Sequence, residues 1–151
     1  MENTTEQAAI RTPIHLWVVG VVAVLWNAIG VVDYVMMRTH NMHYLEAAMP
    51  TGDARATLAY MDAMPLLASA GWALGVWGAI AGSLLLLARS RHAVIAYAIS
   101  LVGAVVSFAF QFTGPPRPAS MSSPVLPIII TVIAMALLLY ARWMRSRGVL
   151  R

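Results

Sequence analysis

Four stretches of this chain are almost free of formal charge over the length a helix needs to cross a bilayer. They run from Ile14 to Met37, Leu66 to Ala88, Ala93 to Phe112 and Val125 to Ala141. The hydrocarbon core takes about 20 apolar residues, with a usual range of about 17 to 25. Three of the runs contain no Asp, Glu or Arg, and the first contains only Asp33. Lipid supplies no water to unpaired backbone groups, so a helix is the one state open to such runs. They predict an all-α membrane protein, a single domain over residues 1–151 built on four transmembrane helices. The first run reads as a retained helix rather than a cleaved signal peptide. Its apolar stretch is too long, its leader carries Glu2 and Glu6, and no small-x-small site follows it.

Composition closes the alternatives. With 11% charged and 60% hydrophobic residues, the chain lacks the charged shell of a soluble domain. The ten basic residues are all arginine, a usage that suits a GC-rich bacterial genome. Their net charge of +4 does not point to nucleic acid, because the arginines flank the apolar runs and so set orientation. Arg11, Arg89, Arg91, Arg142, Arg145, Arg147 and Arg151 share one side; Arg38, Arg55 and Arg117 take the other. That bias places both termini and the tight Ser90-Arg91 turn in the cytoplasm. Trp17, Tyr44, Tyr140 and Trp143 fall near segment ends, as interfacial aromatics do. There is no cysteine, which excludes disulfides, thiolate metal sites and cysteine nucleophiles.

Two outer loops remain. In residues 38–65, Asp53 is placed to cap a short helix from Ala54 to Met61, and Pro65 opens the second span. Leu58, Met61 and the ring of Tyr60 are expected on the membrane surface. The second loop, Thr113 to Pro124, is so rich in proline and serine that it reads as a stiff, exposed link without regular structure.

The clearest pattern lies in the second span. Gly71, Gly75, Gly78 and Gly82 are spaced four, three and four apart, within about 60° of one another on a helix. Such a stripe lets helix backbones approach closely, and close packing drives association in lipid. The third span offers a complementary face in Ala96, Ser100, Gly103, Ser107 and Gln111. The short turn between the two predicts an antiparallel hairpin, stripe against stripe. A solute path cleared by the glycines is the lesser alternative.

The first span holds the polar residues of interest. Asn27 and Tyr34 share a face with Gly30 beside them, and Trp26, Asp33 and Met37 widen the arc. Asn27 reads first as an interhelical hydrogen bond to Ser107, Ser100 or Gln111. Asp33 reads first as an interfacial acid paired with arginine or wetted, and otherwise as a proton- or solute-handling group. Asn27, Asp33 and Tyr34 are therefore the candidate binding residues. The following Met36 to His43 is rich in thioether and imidazole groups, which suit Cu(I). Methionine also fills interfacial positions freely, and no spacing here is diagnostic of a metal. No phosphate loop, nucleophile elbow, metalloprotease helix or paired intramembrane acid occurs, and His15 and His92 sit at helix ends. No cofactor and no enzymatic activity are expected.

Leu25-Trp26-Asn27, then Gly30 and Asp33-Tyr34, resemble the first-helix signature of a group of small, uncharacterised four-helix bacterial inner-membrane proteins. Pro65, Trp72 and Trp77, the run from Gly82 to Leu87 before Arg89, Ser100-Leu101 and the tail Arg147-Gly148-Val149-Leu150-Arg151 extend the likeness over nearly the whole chain. The Met- and His-rich segment after Asp33-Tyr34 departs from the group's pattern. Members are often labelled "sugar transporter", so the resemblance implies a small-solute carrier. A path through so small a bundle calls for an oligomer, and the two halves show no internal repeat of the kind carriers use. The residues themselves favour a non-enzymatic module that packs with itself or with a membrane-protein partner in the lipid bilayer.

Overall fold

The computed structural model describes residues 12–49 and 52–151; Glu2, Glu6 and Arg11 lie outside them. The described residues form six α-helices and no strand: α1 (Ile14–Arg38), α2 (Met42–Ala48), α3 (Ala54–Asp62), α4 (Leu66–Leu87), α5 (Ala93–Thr113) and α6 (Val125–Ser146). Helices α1, α4, α5 and α6 are long and apolar enough to cross a bilayer, so the chain is an all-α, multi-pass membrane protein.

Each end of these helices has a local cause. Pro13, Pro65 and Pro124 stand immediately before α1, α4 and α6, where a missing N–H costs nothing because the first-turn donors have no intrahelical partner. At the other end, α1, α4 and α6 close with the same two-bond motif. For α1, His40 N–H donates to Met37 O and Asn41 N–H to Met36 O, with His40 left-handed at φ 55°. Arg89 (φ 56°) does this for α4 and Gly148 (φ 70°) for α6. Two of these three left-handed positions are not glycine, and so give no signal in the sequence.

The four long helices are arranged in chain order. Helix α1 packs on α4, α4 on α5 and α5 on α6. The α4–α5 contact is by far the most extensive. A Cβ added at Gly71 would stand 2.9 Å from Gly103 O, at Gly78 3.1 Å from Ala96 O, and at Gly82 2.8 Å from the Tyr97 ring. The closest approach belongs to Gly103, whose added Cβ would meet Gly71 O at 2.5 Å and Gly75 N at 2.7 Å. Gly75 faces Ala104 at 3.3 Å, and Ser100 Oγ donates to Gly75 O at 2.6 Å. Two backbones at such separations leave room only for hydrogen or a small hydroxyl.

Helices α1 and α6 meet at one end alone. There His15 Nδ1 lies 2.6 Å from Tyr140 Oη and its ring stacks on Trp143. A core of Leu16, Leu86, Tyr97, Ala141 and Met144 closes this arginine-rich end. The tail completes it. Val149 and Leu150 are buried, and Arg151 exchanges backbone hydrogen bonds with Arg89 and Arg91 at the α4–α5 turn.

The opposite end is covered by the loops, which are more ordered than expected. Residues 42–48 form α2, with Asn41 Oδ1 accepting from Tyr44 N–H at 3.0 Å. The expected cap of α3 is present: Asp53 Oδ1 accepts from Ala56 N–H at 3.0 Å. The supposed exposed link between α5 and α6 contains a 3-10 turn, Ala119–Met121, docked on α3 by Thr57 Oγ1 and Ser120 Oγ at 2.5 Å. Met61 does not lie on the membrane surface. It is buried with Met37, Met64 and Leu45, while Leu58 and Tyr60 pack partly against this cluster. The reason is placement: α3 folds back over the bundle mouth, so its apolar face finds protein before lipid.

Candidate functional site

The space left between α1 and α6 is a cleft of about 580 Å³, walled at the back by α4 and α5. Trp26, Ile29 and Asp33 face it from α1, and Leu126, Ile130 and Ile133 from α6. Its floor is the closed, arginine-rich end, and Tyr44, Met61 and Met121 stand at its loop end. A cavity of this size is in the range of about 300–1,000 Å³ that small-molecule sites occupy, with the usual apolar lining and few polar groups.

Asn27 forms the deepest polar contact. Its Nδ2 donates to Ser83 Oγ at 2.8 Å and reaches Ala79 O at 3.4 Å. Ser83 spends its own proton on Ala79 O at 2.9 Å. The 3.0 Å contact between Ser83 Oγ and Tyr97 Oη is therefore a hydrogen bond donated by tyrosine. This network corrects the expected partners. Asn27 bonds across to the second span, not to Ser100, Ser107 or Gln111 on the third, because α1 packs on α4. Ser83 and Tyr97 were not among the candidates. The available signal was a serine isolated in an apolar span, one residue from the glycine stripe.

Asp33 lines the cleft near its loop end, with Tyr44 beside it. It is not paired with Arg38, which lies five residues on and so about 140° around the helix. The polar contact at this end joins His40 Nε2 to Asp62 Oδ2 at 3.1 Å, linking the turn after α1 to α3 on the exposed surface. Desolvation first, then the negative charge and hydrogen bonding of Asp33, push the Tyr44 phenol above its ordinary pKa.

Tyr34 is turned away from the cleft. Its ring stands edge-on to Trp72 at 4.5 Å and to Trp77 at 6.2 Å, in an aromatic contact between α1 and α4. The three candidate binding residues are thus split: Asn27 and Asp33 line the cleft, and Tyr34 does not.

On α5, Ser100, Ser107 and Gln111 all face the cleft. Ser107 is 2% exposed, and its Oγ has no hydrogen-bond partner among the described residues. That Oγ has no exposed surface, on the part of α5 packed against Gly71 of α4; an unpaired buried hydroxyl costs about 1–3 kcal/mol. The thioethers of Met37, Met61 and Met64 pack with one another as apolar groups. Among the described residues, no three His, Asp or Glu side chains converge as a metal site would require.

No family model, curated protein or solved structure matches the chain. The functional reading rests on this cleft.

Proposed function

We propose that this protein is a non-enzymatic binding module of the bacterial inner membrane, whose α1–α6 cleft takes a predominantly apolar small molecule from the bilayer. The observation that carries the reading is the cleft itself: about 580 Å³, bounded by four spans, apolar on its α6 wall and carrying a few polar side chains on α1 and α5. The gap between α1 and α6 faces the lipid, with Ile29 and Leu126 exposed on its two edges. An occupant can therefore enter sideways, without crossing a headgroup barrier. The arginine bias orients the closed end towards the cytoplasm and the mouth towards the outer leaflet.

The carrier role implied by the family resemblance is less well supported. A carrier must open its site to both sides, and Leu16, Leu86, Tyr97, Ala141 and Met144 fill the cytoplasmic end, with the tail folded beneath them. In reconstituted vesicles, saturable binding of an apolar probe should occur without vectorial sugar uptake. Ile130→Trp, which fills the cleft, should abolish binding while leaving the α4–α5 hairpin intact. Sugar uptake that disappears with Asp33→Asn would replace this reading with the carrier.

A further inference from the structure

Deep in the cleft the polar side chains of Asn27, Tyr97 and Ser100 are all bonded within the protein. Asp33 on α1 and Ser107 and Gln111 on α5 line the cleft, and Tyr44 from α2 stands beside Asp33. The remaining α6 wall, from Leu126 to Leu137, is apolar along its length. The eleven residue-to-residue steps from Leu126 to Leu137 span about 16 Å of helix. The cleft therefore has one polar wall near the outer surface and one long greasy wall running towards the floor, the shape of a single-chain amphiphile with its head up.

The head can be narrowed by charge. Asp33 is the charged side chain among the described residues lining the cleft; neither arginine nor histidine lines it. An ionised carboxylate only accepts hydrogen bonds, whereas the Gln111 amide can accept or donate. A phosphate head would bring a second anion beside Asp33 with no cation to offset it, in a medium that screens poorly. Hydroxyl groups meet the same wall as donors.

The geometry points to a phosphate-free, hydroxyl-headed single-chain lipid of the outer leaflet as the occupant of the cleft. This rests on the binding reading above and specifies its ligand class. The head donates to Asp33 with Gln111 on the facing wall, and the chain lies against Ile130 and Ile133.

The test uses the full chain in phosphatidylcholine vesicles, with two photoactivatable probes of identical acyl chain: a monoacylglycerol and a lysophosphatidic acid. Cross-links are mapped by peptide mass spectrometry at Ile29 and Ile133 in the cleft. Val102, exposed on α5 and not lining the cleft, serves as the lipid background. The monoacylglycerol should label the cleft residues at least tenfold above the phosphate probe, both being equal at Val102. Asp33→Ala should erase most of that preference. Equal labelling of the cleft by both probes would overturn the assignment of the head while leaving a lipid-binding cleft. Labelling at Ile29 and Ile133 no stronger than at Val102 for either probe would overturn the binding reading itself. The comparison of the two probes on the unaltered protein needs no variant to fold.

Discussion

Asn27 on the first long helix donates to Ser83 on the second at 2.8 Å, and Tyr97 on the third donates to the same serine oxygen at 3.0 Å. One hydroxyl, itself turned onto Ala79 O, thus ties three spans together within the apolar part of the bundle. Asn27→Leu should weaken the association of α1 with the α4–α5 pair by about 0.6 to 2 kcal/mol, the range found for hydrogen bonds between spans. Tyr97→Phe should cost a comparable amount. The double variant should cost less than the sum, because both donors share Ser83. Unfolding in mixed micelles measures all three; strict additivity would mean that the network is not cooperative.

The α4–α5 hairpin should be the least tolerant part of the molecule. Gly103→Leu would drive a branched side chain into Gly71 O and Gly75 N, both backbone atoms that cannot turn aside. Gly78→Leu meets Ala96 O and Ser100 in the same way. Each should destabilise by about 1–3 kcal/mol or more, through overpacking. Leu84→Ala, at a position 54% exposed on the lipid side, should be mild. Equal thermal stability of the three variants in detergent would show that the stripe is not the hairpin interface.

Orientation can be read independently of stability. Reporter fusions after Arg91 and at Arg151 should behave as cytoplasmic, and fusions near Gly52 and Ser120 as external. The seven-to-three arginine bias carries this expectation. A cytoplasmic signal at Ser120 would remove one of the last two crossings and contradict the order α4, α5, α6.

Tyr44 reports on Asp33. Its phenol titrates above the ordinary tyrosine value, first through desolvation and then through the Asp33 charge and hydrogen bond. A raised pKa means that the fold favours the neutral phenol. That contribution is fully present below the unfolded value and is lost as pH climbs through the folded one. Asp33→Asn should lower the Tyr44 pKa part of the way back, since desolvation remains. Phenolate absorbance, taken as the difference from Tyr44→Phe, follows it. An unchanged Tyr44 titration would show that the two groups do not interact.

Much of this architecture was legible along the chain because lipid permits so few states. Apolar runs of the right length must be helices, and the four expected spans agree with α1, α4, α5 and α6 within a residue at most ends. The exception is α6, which continues from Ala141 to Ser146 because Arg142 and Arg145 can stay helical beyond the hydrocarbon. Asp53 and Pro65 marked their helix starts by local chemistry alone. Asn41 starts α2 by the same local chemistry, inside a stretch rich in methionine and histidine.

What the linear order contains is periodicity, caps, charge bias and the glycine stripe, all of which act within one helix or across one short turn. Which helix faces which is another matter. Asn27 could reach either α4 or α5 by its position in the chain; only the docking of α1 onto α4 brings it to Ser83 rather than Ser107. Tyr34 shares Asn27's face, yet lies two turns nearer the loop end against Trp72 and Trp77, outside the cleft. The cleft itself has no sequence signature, because it is the absence of contact between the first and last spans along most of their length. Apolar side chains suit lipid and protein neighbours equally well. Hydropathy therefore determines that these helices are in the membrane, and only the close approach of backbones at Gly71, Gly78 and Gly103 decides how they are arranged around a space.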